Sequence, residues 1–350
     1  MIRHAEAEGN IYRRAHGHFN GLIVGRGYEQ IRQLEERFSR EKIDAVYSSD
    51  RSRTQTTAAA ICETRGLPVY AEKRLREVNA GEWEDVAWGD IKHRYPEMSE
   101  YFGNDPARWS VVGGEKYGDV RKRMRECISD IGKRHDGQTV AAFSHGFAIR
   151  AFICELMGIP SHMTELVPYC DNTAVALIRY ENDKFEIEYH GDNSHLHSGS
   201  STFEKQTWWR GEKERKSEDM SYMPFDEKRD AGLFELCGRE RRPEPDKKME
   251  FIALLEDEPA GVLELDIFKE SGDNVGWISR IYIKPELRHM YFGIQLLGQA
   301  VSEYRKLRRE SVRLEAEAGS PLTCFCEKYG FAKTGESGSL CVMEKNIRNW

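Results

Sequence analysis

The sequence predicts two α/β domains in succession, and three observations carry that expectation. Through the first half, short apolar stretches alternate with amphipathic stretches of helical period, the pattern of a sheet built from parallel strands. One stretch, Val140-Ala141-Ala142-Phe143, is apolar throughout, as a strand covered on both faces must be. After His197 the composition turns loop-like and then densely charged, and a second succession of strands and helices begins. A length of 350 residues suits two domains better than one.

The chain opens on Met1-Ile2-Arg3-His4, an apolar strand end that runs into the small and acidic residues from Ala5 to Asn10. Open α/β sheets hold their ligands beyond strand ends, and a histidine there beside a fixed positive charge suits attack on a phosphate. Residues 5–25 read as a polar loop punctuated by Gly25 and Gly27. Ile31, Leu34 and Phe38 then recur at helical spacing, which predicts a helix from Tyr28 to Arg40. Ala45 to Ser49 is a short strand ending in hydroxyls, and Asp50 stands where it can cap a helix running through Cys62. Strand, turn and helix start together make an anion site. Arg53, in the first turn, either points into that site or is a surface cation. Glu77, ahead of Gly81-Glu82-Trp83, is either a proton donor or one more solvated carboxylate. The aromatics Trp88, Tyr95, Tyr101, Phe102 and Trp109 either cap a pocket or pack on the domain's own core. A charged helix follows from Glu115 to Lys133. The apolar strand then ends at Ser144-His145-Gly146, and a helix from Phe147 to Met157 follows. Two strand-end histidines and one helix-start arginine can thus converge at one edge of the sheet.

Composition excludes several classes. The net charge is −7 with both signs mixed along the chain, which argues against a nucleic-acid partner or an acidic membrane face. Eight cysteines are scattered without a C-x-x-C pair or a Cys/His grouping at zinc spacing, so no metal site is expected and the thiols read as reduced. There is no apolar run of membrane-spanning length and no signal peptide, and the expected location is cytoplasmic.

The ordered set Arg3-His4, Asn10, Ser48-Ser49 through Arg53 to Thr57-Ala58, Leu75 with Glu77 and Gly81, Gly113-Gly114-Glu115 and Ser144-His145-Gly146 resembles the histidine phosphatase (phosphoglycerate-mutase-like) superfamily over residues 1–197. Asp171-Asn172-Thr173 and Asp192 to His195-Leu196 are similar to its closing strands. The resemblance implies a three-layer α/β/α domain in which His4 is the nucleophile and forms a phosphohistidine. It implies that Arg3 and Arg53 hold the phosphoryl oxygens as guanidinium forks, that His145 adds a cationic donor, and that Asn10 donates its amide. Glu77 matches the proton donor to the leaving oxygen. Arg123 fits a family arginine, with a structural ion pair as an equal alternative. Only three residues precede His4, against about five or six in a typical strand, so the first strand looks clipped, either in this sequence or in the gene product. A chain that truly began at Met1 would carry its nucleophile on a frayed end. The stretch from Glu77 to His145 lacks the insertion of the glycolytic mutases, which favours a phosphatase acting on a small phosphomonoester, with no cofactor in this domain.

Residues 198–216 read as a linker, with Trp208-Trp209 docked on one domain, and the second domain as 217–350. Met220 to Phe225 predicts a strand and Glu227 to Cys237 a helix. Strands follow at Met249 to Leu255, Ala260 to Phe268, Val275 to Ile283, Val312 to Ala316 and Leu340 to Met343, with helices at Ile294 to Lys306 and Leu322 to Lys328. Ile281-Tyr282-Ile283, Pro285, Arg288, Gly293 and Glu327-Lys328-Tyr329-Gly330-Phe331 are similar to the GNAT-type N-acetyltransferases, a mixed α/β fold. That resemblance implies acetyl-CoA as cofactor, an amine as acceptor, and a cofactor site at Ile281, Ile283, Arg288, Phe292, Gly293, Ile294 and Cys326. Backbone amides at the helix start would bind the pyrophosphate. Three positions depart: Tyr291 replaces a loop glycine and crowds the backbone, Gly319 stands at the usual asparagine, and Cys326 replaces the tyrosine that protonates the departing thiolate. Cys326 is then either that acid or the mark of a domain that only binds. The leading expectation is a phosphatase fused to an acyl-CoA-dependent N-acyltransferase. A phosphoglycerate-type mutase, or a sensor with one inert domain, is the alternative.

Overall fold

The computed structural model describes residues 1–210, 218–226, 228–230 and 248–349. The elements of the first half are β1 (Ile2–Arg3), α1 (Glu8–Tyr12), α2 (Gly25–Phe38), β2 (Ala45–Ser48), α3 (Ser52–Arg65), β3 (Val69–Ala71), α4 (Trp88–Arg94), α5 (Pro96–Asn104), α6 (Tyr117–Arg134), β4 (Val140–Ser144), α7 (Gly146–Leu156), β5 (Val175–Glu181) and β6 (Lys184–Asp192). Those of the second half are β7 (Ser221–Pro224), β8 (Lys248–Leu255), β9 (Glu258–Asp266), β10 (Val275–Ile283), α8 (Phe292–Lys306), β11 (Ser311–Glu317), α9 (Pro321–Lys328), β12 (Ala332–Ser337) and β13 (Leu340–Asn346). The chain forms two compact units. One comprises Met1–Asn10, Ala15–Val86 and Arg94–Lys216; the other comprises Ile11–Arg14, Ala87–His93 and Ser217–Trp350.

The first unit is a six-stranded sheet in the order β3-β2-β4-β1-β5-β6. The apolar strand β4 lies between β2 and β1, parallel to both, as its composition requires. β5 runs antiparallel to β1, and the β5–β6 hairpin closes the edge. Leu34 of α2 and Ala58 and Ile61 of α3 pack on Ile2, Val46, Ala141 and Phe143. Ile149 and Ile153 of α7 pack against Ile178 and Ile187 of the hairpin.

Several sequence expectations change here. β1 has only two residues, yet it is not frayed: Ile2 pairs with Phe143 on one side and Val175 on the other, and the His4 amide donates to the Ser144 carbonyl at 3.0 Å. Part of the supposed loop 5–25 is the helix α1, and Gly25 begins α2 rather than ending the loop. Asp50 does not cap α3. Arg51 occupies the cap without a side-chain bond, while Asp50 accepts from Arg76 and Arg51, which hold its carboxyl below the usual carboxylate range. Of the stretches likened to the closing strands, Asp171–Thr173 precede β5, while Asp192 is the last residue of β6 and residues 193–195 follow it. The aromatics pack together: Trp83 lies against Tyr95, Phe102 and Trp109, and Phe102 stacks on Phe147 at 4.9 Å.

The second unit holds a mixed seven-stranded sheet, β12-β13-β11-β10-β9-β8-β7, in which β10–β11 is the one parallel pair among the described residues. Its core is built on α8, where Leu296, Leu297, Ala300, Val301 and Tyr304 are buried against the sheet. Glu256 and Asp257 both take positive φ at the β8–β9 turn, as a tight hairpin requires. Buried Asp219 accepts from Arg13 and Lys92 within this unit. β12 escaped the sequence reading because it is mostly exposed and shows no apolar alternation. The helix expected over Glu227 to Cys237 lies outside the described residues apart from residues 228–230, which are helical. No helix among the described residues is long and apolar enough to cross a membrane.

Candidate active site

His4 follows β1 directly and is 6% exposed. Its Nδ1 lies 2.7 Å from the Ala5 carbonyl oxygen. A carbonyl can only accept, so Nδ1 carries the proton and Nε2 keeps its lone pair. Burial, with Arg53 and Arg3 adding positive charge, holds the ring well below the ordinary histidine value of 6.5. The imidazole is therefore neutral and nucleophilic at neutral pH. Its backbone is pinned too: the His4 carbonyl accepts from Asn172 Nδ2 at 2.9 Å, and the Ala5 amide donates to Thr57 Oγ1 at 2.9 Å.

Arg3 donates through Nη1 to the Cys170 carbonyl at 2.5 Å, while its buried Nε has no partner. A Cβ on Gly146 would lie 3.1 Å from that Nε, so glycine leaves the guanidinium its space. His145 is the N-cap of α7, and its ring centroid is 5.3 Å from that of His4. Its Nε2 lies 2.9 Å from Ser49 Oγ and its buried Nδ1 is unpartnered. The cationic donor expected at His145 is not what forms. Burial, Arg53 and His4 push it well below 6.5, and the ring is neutral. With Ser49 donating to Nε2, the neutral ring still presents Nδ1–H as a donor.

Because both rings are neutral when folded, acid works against the fold. The folded value lies below the unfolded one, so this stability is present above pH 6.5 and is lost as pH falls. His145→Gln is expected to lose less stability than wild type between about pH 7.5 and pH 5.5, by at most about 1.4 kcal/mol per pH unit. Thermal midpoints at the two pH values measure the difference.

Arg53 is 2% exposed, and burial lowers it to about 10. Its fork does not stand free as expected: Nη1 donates to the Phe19 carbonyl at 2.7 Å, and Nη2 to Gly17 at 2.8 Å and His16 at 3.1 Å. It holds the 16–19 loop while setting the field at His4. The α3 start is also taken, since the Ser52 amide donates to Asn20 Oδ1 at 2.9 Å.

Glu77 sits on the N-terminus of α7 and accepts from the amides of Phe147 (3.0 Å), Ala148 (2.8 Å) and Val78 (3.0 Å). Those bonds favour the anion, but burial outweighs them and the carboxyl titrates above its ordinary 4.5. Arg123 pairs with Glu115 and donates to the carbonyls of Arg74, Arg76 and Glu77. It is the structural ion pair, and it fixes the loop that carries Glu77. Asn10 turns its Oδ1 toward the Ala7 amide at 3.0 Å and Asn172 Nδ2 at 3.4 Å, bracing the loop. Glu84, which the sequence reading passed over, accepts from the amides of His18, Phe19 and Ala80 and ties two site loops together. No local pattern marks it, because its partners come from distant turns.

The model of the histidine phosphatase superfamily (branch 1) matches residues 1–193. The chain belongs to that superfamily. Phosphoserine phosphatase 1 of Hydrogenobacter thermophilus is 32% identical over 182 residues, which span 52% of this chain and 85% of that protein. Phosphoglycerate mutase-like protein 4 of Arabidopsis thaliana is 29% identical over 200 residues, 56% of this chain and 85% of that protein. Among solved structures, Bacillus stearothermophilus YhfR superposes with a TM-score of 0.54 at 28% identity, over 56% of this chain and 97% of that one. The mycobacterial glucosyl-3-phosphoglycerate phosphatase shares the fold at a TM-score of 0.51 and 22% identity, over 55% of this chain and 96% of that one. The chain also carries a GNAT acetyltransferase domain, matched over residues 208–331.

In the GNAT domain, β10 pairs with β11 only from Val275 to Trp277 but with β9 as far as Ile283. Beyond Trp277 the two parallel strands part, and β10 leads on through Lys284–Tyr291 to the free amides at the start of α8. Ile281 and Ile283 lie on this stretch of β10. Phe292 and Ile294 are 3% and 1% exposed, so their side chains belong to the core and only their amides are available to a ligand. Arg288 spends its Nε on the Ile283 carbonyl at 3.1 Å. Tyr291 adopts φ 65°, the left-handed conformation that favours glycine. Gly319, in place of the usual asparagine, also lies there at φ 69°. Cys326 is fully buried in the apolar core and pushed up to about 12. Its side chain is too short to carry the thiol out of that core, and a proton-donor role is not supported.

Proposed function

We propose that the first unit is a phosphomonoester hydrolase working through a phosphohistidine on His4, in a cytoplasmic protein. The observation that carries this is the His4 tautomer: Nδ1 is tied to Ala5, Nε2 is free, and the ring is kept neutral between Arg3 and Arg53. Nε2 attacks phosphorus, the bond to the leaving oxygen breaks, and protonated Glu77 gives that oxygen its proton. Arg3 Nε–H and His145 Nδ1–H hold the phosphoryl oxygens. Water then attacks phosphorus, Glu77 takes the water's proton, and the N–P bond breaks to restore neutral His4. Phosphate release from a panel of phosphomonoesters tests the reading. Phosphoserine belongs in it because of the Hydrogenobacter relative, and 3-phosphoglycerate because it separates hydrolysis from transfer. Release of phosphate without an isomerised product is expected. Isomerisation dependent on a bisphosphate would overturn it in favour of a mutase.

For the GNAT domain, the parted strands β10 and β11 and the start of α8 support acyl-CoA binding, with transfer to an amine as the reading. Tyr291→Gly, which relieves the left-handed tyrosine and clears the backbone, is expected to tighten acetyl-CoA by about tenfold. Calorimetric titration of both proteins measures it. Saturable binding with no acetylation of any amine would favour a sensor.

A further inference from the structure

The strongest unexplained feature lies between the two family matches, which end at residue 193 and begin at 208. The described part of the segment read as a linker, residues 198–210, is built into the phosphatase unit. Ser200, Ser201 and Thr202 are 7%, 7% and 1% exposed. We propose that Ser201 and Thr202 are positioning residues of the phosphatase site, which hold Arg3 and the His4 loop through Asp171 and Glu6. The proposal rests on reading Arg3 and His4 as the phosphoryl pocket.

Ser201 Oγ donates to Asp171 Oδ2 at 2.5 Å. Asp171 opens the turn that its carbonyl closes with the Ala174 amide at 3.2 Å, and its two chain neighbours reach the site. The Cys170 carbonyl accepts from Arg3 Nη1 at 2.5 Å, and Asn172 Nδ2 donates to the His4 carbonyl at 2.9 Å. Asp171 is also the foremost negative charge acting on Arg3. Ser201 thus fixes the turn that orients both the arginine and the nucleophile.

Thr202 works from the other side of His4. Its Oγ1 donates to Glu6 Oε1 at 3.0 Å, two residues beyond the nucleophile, and accepts from Gln30 Nε2 at 3.1 Å. Gln30 closes the circuit, since its Oε1 accepts from the Glu6 amide at 2.7 Å and its Nε2 also donates to the Ser200 carbonyl at 2.8 Å. Glu6 is a buried carboxyl whose Oε1 also accepts from Arg26 at 3.2 Å, so removing the hydroxyl leaves that oxygen with the Arg26 bond alone. Further along, Phe203 stacks on Trp209 at 4.7 Å, and Gln206 Nε2 donates to the Asn10 carbonyl at 2.9 Å. A strap held only by packing needs none of these hydroxyl–carboxylate bonds.

The test uses the full chain. Ser201→Ala, Thr202→Val and Thr202→Ser are compared with wild type in turnover of para-nitrophenyl phosphate and in calorimetric binding of orthovanadate, with thermal midpoints as the measure of folding. Ser201→Ala and Thr202→Val are expected to lower kcat/KM and vanadate affinity together by about tenfold, while Thr202→Ser keeps wild-type values. Folded variants whose vanadate affinity and turnover stay within about twofold of wild type would overturn the proposal. If Thr202→Val does not fold, Ser201→Ala decides alone. A His4→Ala protein that hydrolyses as fast as wild type would sink the nucleophile but leave the vanadate comparison standing. Absence of vanadate binding by wild type would sink the pocket and this proposal with it.

Discussion

His4→Ala is expected to abolish phosphomonoester hydrolysis, by about 10⁴-fold or more, with the fold retained. Covalent capture splits one displacement into two, and no neighbouring group can replace the attacking nitrogen. His145 has its Nε2 engaged by Ser49, and in the tautomer proposed above its Nδ1 carries the proton, a donor rather than a lone pair. The backbone contacts of residue 4 belong to its amide and carbonyl and survive truncation, so the sheet keeps its central strand. Rapid quenching of wild type with a labelled phosphomonoester should trap a phosphoenzyme that is labile in acid and stable in base, as an N–P bond is. His4→Ala should trap none. A trapped phosphoenzyme of unchanged amount in the variant would move the nucleophile elsewhere.

Glu77→Gln should cost about 10²- to 10⁴-fold in kcat/KM, which reports the steps up to loss of the leaving group, on alkyl phosphomonoesters and far less in kcat/KM on para-nitrophenyl phosphate. The carboxyl is wanted as an acid, and burial raises it toward that state. A nitrophenolate leaves without help, whereas an alkoxide must be protonated as the bond breaks. The dependence on leaving group separates chemistry from damage: a displaced α7 start would slow both substrates alike. The pH profile carries the same information. His4 must be neutral, so kcat/KM falls on the acid side through a histidine value depressed below 6.5. Glu77 must be protonated, so it falls on the basic side through a carboxyl value raised above 4.5. The variant should lose the basic limb and keep the acid one. An unchanged basic limb in Glu77→Gln would assign the proton to another group.

Much of this was legible in the chain because the cues are local. An apolar run bounded by Ser144-His145-Gly146 specifies a buried strand with a helix behind it, and the period of α8 is written in Leu296, Leu297, Ala300 and Val301. What local pattern missed were elements with little apolar signal, such as exposed β12, and helix starts such as Gly25, where no side chain caps the turn.

Residue order settled the two α/β domains and pointed His4, His145 and Arg53 to one sheet edge, since alternation and strand ends depend only on neighbours along the chain. Arg3 and Glu77, by contrast, were drawn in by the family resemblance. Charge state and partnership were decided in three dimensions. Burial, with Arg53 and His4 beside it, makes His145 neutral where a cation was expected, and Arg53 is drawn onto the carbonyls of a loop over thirty residues away in sequence. Desolvation and hydrogen bonding depend on what surrounds a group in space. For Cys326, Arg53 and the Ser200–Thr202 strap, those surroundings come from parts of the chain that no spacing along the sequence connects.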